Sequence, residues 1–140
     1  LISSNVGEVA RPMAKIASGG ELSRILLVIK RALADKAGLA ATYIFDEVDS
    51  GIGGATAEAV GKKLKEVSTA RQVICITHLP QVASLGDQHF LVAKKVEKGR
   101  TATALRALAQ EERLTEIARM LGGKEITATV RKHAQEMLRR

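Results

Sequence analysis

Two carboxylates and a histidine stand where catalytic groups are found in α/β proteins. Asp46 and Glu47 directly follow the apolar run 43–45, and His78 comes two residues after the apolar run 73–76. Ligands in open α/β sheets sit beyond the C-terminal ends of the strands. There, one carboxylate can hold Mg²⁺ beside a phosphate, a second can polarise a water molecule, and a neutral histidine can hydrogen-bond the terminal phosphate. The alternatives are a solvated strand end for the carboxylates and a capping role for the histidine.

A second candidate is the run Ser18-Gly19-Gly20, which directly precedes a helical pattern. Ser18 can act as the N-cap, and the glycines let the backbone approach a ligand closely because they carry no Cβ. The free N–H groups and the dipole of a first helical turn attract anions. The run is compatible both with phosphate binding and with an ordinary capped helix after a loop.

A βαβ unit is needed to bring these groups together. Apolar residues at helical spacing predict a helix from about residue 20 to residue 37, stopped by Gly38. Residues 42–47 and 71–76 each contain a short apolar run, which predicts a strand buried on both faces. A helical pattern between the two runs is marked by Ala57, Val60, Leu64 and Val67. This order and spacing predict two parallel neighbouring strands.

The rest of the chain predicts a helical turn through residues 82–85 and an antiparallel hairpin of residues 88–96 and 100–108, turning at Gly99. Two helices follow. The first ends at Gly122-Gly123, and Thr127 can cap the second. The predicted fold class is therefore α/β, with parallel strands and flanking helices, a β-hairpin and two C-terminal helices.

Composition and charge restrict the class of protein. A hydrophobic fraction of 46% can fill the core of one domain, and no apolar run is long enough for a membrane span. The single cysteine, Cys75, excludes a disulfide framework, so a reducing cytoplasmic setting fits.

The net charge of +7 is concentrated in residues 94–140, which hold 12 of the 22 Lys and Arg residues but 6 of the 15 acidic residues. This basic end is compatible with contact to nucleic acid or another acidic partner, and also with a solvated basic surface. The candidates by charge alone are Arg100, Arg106, Arg113, Arg119 and Lys124.

Four motifs, in this order, resemble those of the ATP-binding-cassette ATPases. The run Ala17-Ser-Gly-Gly-Glu21 is similar to their signature motif, and Tyr43-Ile-Phe-Asp-Glu47 is similar to a Walker B strand. Asp49-Ser50-Gly51 stands at the D-loop position, and Thr77-His78 at that of the switch histidine. Glu21 and the helix after it resemble the chromosome-maintenance (SMC-like) branch rather than transporters. Runs 17–24, 45–54, 76–81 and 117–123 together resemble a bacterial DNA-repair family of that branch, over nearly the whole chain.

One motif of these ATPases is missing from the sequence. A Walker A loop reads Gly-x4-Gly-Lys-Ser/Thr. Gly61-Lys62 and Gly123-Lys124 do not fit, because neither has a glycine five residues earlier and neither is followed by Ser or Thr. In the family, this loop lies in the N-terminal half of the head, which a long coiled coil separates from the C-terminal half. We therefore expect residues 1–140 to be the C-terminal lobe of a head, cut from a longer protein and inactive alone.

The resemblance implies a composite site in which two heads dimerise around two ATP molecules. Asp46 would support Mg²⁺, Glu47 would polarise the attacking water, and His78 would sense the γ-phosphate. All three would act on ATP held by the Walker A loop of the same head.

The signature residues would act on the ATP of the other head. These residues are Ser18, Gly19, Gly20 and Glu21. Asp49, Ser50 and Gly51 would lie at the dimer seam. The implied partners are the N-terminal half of the head, a second head and DNA, without a membrane, in the cytoplasm at the nucleoid.

Two other classes of function are alternatives to an ATPase head. A transporter's nucleotide-binding domain is disfavoured by Glu21, by the Asp49–Gly54 run and by the lack of a membrane segment to couple with. A DNA-binding or structural module would carry the same motifs without ATPase activity. The change Glu47→Gln separates the last class from an ATPase.

Overall fold

The computed structural model describes residues 3, 7, 9, 12, 18–32, 42–97, 100–123 and 125–139 of the 140-residue chain. The chain divides into two compact units, Leu1–Thr77 and His78–Arg140. In the first unit, the described elements are α1 (Gly19–Ala32), β1 (Thr42–Phe45), α2 (Gly54–Ser68) and β2 (Gln72–Cys75). In the second unit, they are α3 (Pro80–Ala83), β3 (Phe90–Glu97), β4 (Arg100–Ala107), α4 (Gln110–Gly122) and α5 (Ala128–Leu138).

The first unit contains the predicted parallel pair of strands. Thr42 lies opposite Gln72, and Phe45 lies opposite Cys75. The Ile76 amide continues the pairing by donating to the Phe45 carbonyl at 2.9 Å. Helix α2 connects the strands, so the predicted order of strand, helix and strand is confirmed.

Only one face of this small sheet is buried. Tyr43 and Phe45 are buried on that face, and their rings meet edge-on with centroids 6.5 Å apart. On the other face, Ile44 is 65% exposed and Ile74 is 45% exposed. The expectation of strands buried on both faces is therefore wrong for the described residues, where successive side chains alternate between a covered and an open face.

Helix α1 packs against α2. Leu27 is buried, Lys30 Nζ lies 4.9 Å from the centre of the Tyr43 ring, and Arg31 forms an ion pair with Glu66. The helix begins at Gly19, close to the predicted start. The predicted end, residues 33–37 with Gly38, lies outside the described residues.

The second unit contains the predicted antiparallel hairpin. Phe90 lies opposite Ala107, and Glu97 lies opposite Arg100, while the predicted turn residue Gly99 lies outside the described residues. Helix α3 begins at Pro80, two residues before the predicted turn. Proline favours the first position of a helix because its φ is already helical and its missing N–H would have no partner there.

Helices α4 and α5, the two predicted C-terminal helices, form the core of the second unit. Its buried members are Leu114, Ile117, Ala118, Ala134 and Met137. Thr127 caps α5, since its hydroxyl accepts the Val130 amide at 3.3 Å. Gly123 ends α4 with a φ of 70°. None of the described helices combines the length and the apolar character needed to cross a bilayer.

Candidate functional site

Helix α1 begins with a reciprocal capping box. The Glu21 amide donates to the Ser18 hydroxyl at 3.3 Å, and the Ser18 amide donates to the Glu21 carboxylate at 2.8 Å. The Ser-x-x-Glu spacing is the signature of this motif. The predicted cap by Ser18 is confirmed. Glu21, which the resemblance assigns to ATP contact, here holds the start of its own helix.

Asp46 and Glu47 lie at the C-terminal end of β1, and both are exposed. Asp46 Oδ1 accepts the Glu47 amide at 2.9 Å. The backbone of Glu47 has a φ of 58°, in the left-handed region that non-glycine residues rarely adopt. Such a conformation costs on the order of 1–3 kcal/mol and persists only when its surroundings hold it, and such conformations cluster at functional sites.

The two glycines at the start of α1 lie directly against the segment that carries Glu47. A Cβ built on Gly19 would collide with the Glu47 carboxylate. A Cβ on Gly20 would lie 2.9 Å from the Glu47 carbonyl oxygen and 2.8 Å from Ser50 Cβ. The structure therefore brings together the two separate candidate sites of the sequence, the glycine run and the strand-end carboxylates.

Two residues of α1 that the sequence did not single out complete this contact. The Ser23 hydroxyl donates to the Asp46 carbonyl at 2.7 Å. The Arg24 guanidinium donates to the carbonyls of Val48 and Ser50, at 3.3 and 2.8 Å. Their polar character beside the apolar residues of the helix was the available signal, but sequence spacing does not show which backbone carbonyls a side chain will reach.

Asp49 is buried, with 2% of its surface exposed. Its carboxylate accepts a hydrogen bond from the Thr77 hydroxyl, just beyond the end of β2. Burial, together with the nearby charges of Asp49 and Asp46, raises the pKa of Cys75 to about 12, so that thiol stays protonated. Asp49 thus ties the loop after β1 to the end of β2, and its role at a dimer seam stays a prediction.

The other predicted members of the site are exposed. The Ser50 amide donates to the Glu47 carbonyl at 2.9 Å, which makes a tight turn, and Gly51 follows with a φ of 70°. His78 is the first residue of the second unit and is exposed. Its predicted closeness to Asp46 and Glu47 therefore stays a prediction.

A Mg²⁺ ion, which the resemblance implies, fits the chemistry of Asp46. The side chain is an exposed carboxylate, one oxygen of which is engaged by a backbone amide. Among the described residues, no three His, Cys, Asp or Glu side chains come together as a metal site. An ion at Asp46 would therefore take phosphate oxygens or water as further ligands, which is the usual arrangement for Mg²⁺.

Three of the DNA candidates are engaged within their own unit. Arg106 pairs with Glu112, and Arg119 donates to Glu116 at 2.6 and 2.8 Å, which raises the pKa of Arg119. Arg113 donates to the carbonyls of Gly86 and Asp87, at 2.6 and 2.9 Å. Arg100 is exposed, and Lys124 lies outside the described residues.

Arg113 also lines a cavity of about 780 Å³ in the second unit, beside His89 and Leu114. His89 Nε2 contacts the Ala83 carbonyl, and because a carbonyl only accepts, this nitrogen carries the proton. Burial lowers the pKa of His89, and the Arg113 charge lowers it further. His89 is therefore a partly buried residue whose ring is held by the Ala83 carbonyl.

Three DNA-repair proteins are similar to nearly the whole of this chain. The chain is 47% identical over 137 residues to DNA repair protein RecN of Halalkalibacterium halodurans, 45% over 139 residues to that of Bacillus subtilis, and 51% over 137 residues to that of Haemophilus influenzae. These alignments cover 98–99% of this chain but 24% of each relative, so the chain spans about a quarter of their length. No protein-family model matches the chain.

A solved structure from work on ATP-driven dimerisation and DNA-stimulated activation of SMC ATPases has the same fold. It superposes with a TM-score of 0.54 over 85% of this chain and 70% of that one, at 18% sequence identity. Over nearly its whole length, the chain is similar to the C-terminal quarter of these RecN proteins, and it has the fold of an SMC ATPase head.

Proposed function

We propose that this chain is the C-terminal half of an ATP-binding and hydrolysing head, which drives ATP-dependent head dimerisation in DNA double-strand-break repair. One observation carries the proposal. In a single compact unit, the glycine run at the start of α1 lies against the strand-end segment that holds two adjacent carboxylates. The RecN relatives are named for DNA repair, and the structural neighbour comes from work on SMC ATPases.

The two carboxylates at the end of β1 would have different roles. Asp46 would hold Mg²⁺, which supplies charge neutralisation at the phosphates when it is bound. Glu47 would accept a hydrogen bond from the attacking water and so orient it toward the γ-phosphate. Both side chains are exposed, so substrate can reach them.

The remaining parts of the site come from outside this chain or from its second unit. His78 would donate a hydrogen bond to the γ-phosphate. The triphosphate itself would be held by a Walker A loop in the N-terminal half of the head, since the sequence contains no such loop. That half is therefore the first partner that we propose.

A second head is the next partner. Ser18, Gly19 and Gly20 would offer backbone N–H groups and the positive end of the α1 dipole to ATP on that head. Glu21 would keep the start of α1 in place through its hydrogen bond to Ser18. The loop with Asp49, Ser50 and Gly51 would face the seam, with Ser50 and Gly51 as its exposed residues.

DNA is the third partner. We propose Arg100, whose side chain is exposed, as a contact to a DNA phosphate. As a DNA-repair head, the protein would act in the cytoplasm at the nucleoid.

Complementation tests the proposal. The chain is mixed with a polypeptide that carries the Walker A half of a RecN-type head, and phosphate release from Mg-ATP is measured with and without DNA. We expect no hydrolysis by the chain alone and clear turnover by the mixture. Robust turnover by the isolated chain would contradict the composite site, and an inactive but stably formed mixture would favour a binding module without ATPase activity.

A further inference from the structure

The segment from Asp46 to Ser50 has a partner for each of its backbone carbonyls. Two partners are amides of the same loop, since Ser50 donates to the Glu47 carbonyl at 2.9 Å and Ile52 donates to the Asp49 carbonyl at 3.4 Å. The other three carbonyls, of Asp46, Val48 and Ser50, accept from side chains of α1. Helix α1 is therefore the external support of this segment.

Two side chains provide that support. Ser23 fixes the carbonyl just before Glu47, at 2.7 Å. Arg24 bonds two carbonyls beyond Glu47, both through the same guanidinium nitrogen, Nη1. Both residues are half-buried. Helix α1 thus holds the backbone both before Glu47 and after it.

Glu47 itself needs such anchoring. Its φ of 58° is unfavourable for a side chain with a Cβ, so without fixed neighbours the backbone would relax toward negative φ. Relaxation would change the direction of the carboxylate. A misplacement of about 1 Å in a catalytic group can cost roughly 100-fold in rate.

We propose that Ser23 and Arg24 are positioning residues that hold Glu47 in its left-handed conformation for water activation. The inference rests on the proposed ATPase function. Ser18 and Gly19 begin the same helix. Helix α1, whose start we propose to contact ATP on a second head, therefore also positions the Glu47 carboxylate of its own head.

A double-mutant cycle in the completed head tests this inference. Arg24→Ala should lower kcat for ATP by roughly 10- to 100-fold, with KM changed by less than about threefold, because Arg24 acts through Glu47 and does not touch ATP. Arg24→Lys should restore part of kcat, since both bonds come from the single nitrogen Nη1 and an ammonium also offers several donors from one nitrogen, although the lysine side chain is shorter. In a Glu47→Gln background, Arg24→Ala should lower the residual rate less than about threefold further.

Arg31→Ala is the matched control. It removes the same side chain from the same helix, and its partner is the exposed carboxylate of Glu66 on α2. We expect kcat within about twofold of the wild type in both backgrounds. Equal effects of Arg24→Ala and Arg31→Ala, or an undiminished effect of Arg24→Ala beside Glu47→Gln, would overturn the positioning role alone. A wild-type head without turnover would overturn the proposed function, and the positioning role with it.

Hydrogen exchange provides a readout independent of activity. The Ser50 amide closes the turn on the Glu47 carbonyl. Arg24→Ala and Ser23→Ala should speed its exchange at least severalfold, while Arg31→Ala should leave it unchanged. Unchanged exchange in the Arg24 and Ser23 variants would show that α1 does not hold this segment, which would overturn the inference whatever the kinetics.

Discussion

Gly20 lies so close to Glu47 that a Cβ on the glycine would be 2.9 Å from the Glu47 carbonyl oxygen. A backbone oxygen cannot turn aside as a flexible side chain can. The second glycine of the signature-like run is therefore required by the packing of α1 against its own chain, whatever the run contacts on another molecule.

Gly20→Ser tests this packing. We expect the first unit to lose about 1–3 kcal/mol in its free energy of unfolding, because α1 must move away from the Glu47 segment. Tyr43 is the one tyrosine in a chain without tryptophan, so its fluorescence during urea unfolding reports on the first unit. Gly53→Ser is the control, since nothing lies within 4 Å of a Cβ there. Equal losses in the two variants would contradict the close approach.

The capping box gives a second stability prediction. Ser18→Ala and Glu21→Ala should each lower the free energy of unfolding by about 0.5–2 kcal/mol, because each leaves an amide at the start of α1 without its partner. The double variant should lose less than the sum of the two, since the bonds are reciprocal. Glu21→Gln should keep most of the stability. Strictly additive losses in urea unfolding would argue against a shared box.

The lowered pKa of His89 predicts that the stability of the second unit depends on pH. The pKa of His89 is lowered in the folded chain, so the unfolded chain binds a proton first as the pH falls. The stability that neutral His89 contributes is fully present above about pH 6.5, the ordinary pKa of histidine. It is lost as the pH falls from there toward the lowered pKa of the folded chain. His89→Gln should reduce the loss of stability between pH 7.5 and pH 5, measured by urea unfolding. An NMR titration that placed the pKa of His89 above 6.5 would contradict the burial argument.

Arg100 and Arg113 should differ in DNA binding. Arg100 is exposed, and we expect its guanidinium to contact a phosphate. Arg100→Ala should therefore reduce the slope of log affinity against log salt concentration by about one. Arg113 holds two backbone carbonyls, so Arg113→Ala should lower stability instead. Fluorescence anisotropy with a labelled duplex at several salt concentrations measures the slope. Affinity independent of salt would argue against phosphate contacts by the basic end.

Local patterns predicted most elements because spacing decides them. The apolar residues of α4 and α5, the cap by Thr127 and the paired strands β1 and β2 all follow from side-chain periodicity and turn chemistry. The exposed face with Ile44 and Ile74 did not follow. Apolar residues on both faces of a strand show that both faces can be buried. The rest of the fold decides whether both of them are.

The site was predictable in its residue types but not in its contacts. Ser18 with Glu21 could have been recognised as a capping box from the Ser-x-x-Glu spacing. The support of the Glu47 segment by Ser23 and Arg24 depends on how α1 approaches a loop more than twenty residues away in sequence. The burial of Asp49 against Thr77 depends likewise on the pairing of β1 with β2.

Glu47→Gln in the completed head tests the central claim most directly, because it removes the carboxylate and keeps the shape of the side chain. We expect ATP hydrolysis to fall by roughly 10²- to 10⁴-fold, while radiolabelled ATP stays bound and a dimer of heads accumulates on gel filtration. Glu58→Gln, on the surface of α2, should hydrolyse ATP at the wild-type rate. Hydrolysis by Glu47→Gln at the rate of Glu58→Gln would contradict the assignment of Glu47 as the group that activates water.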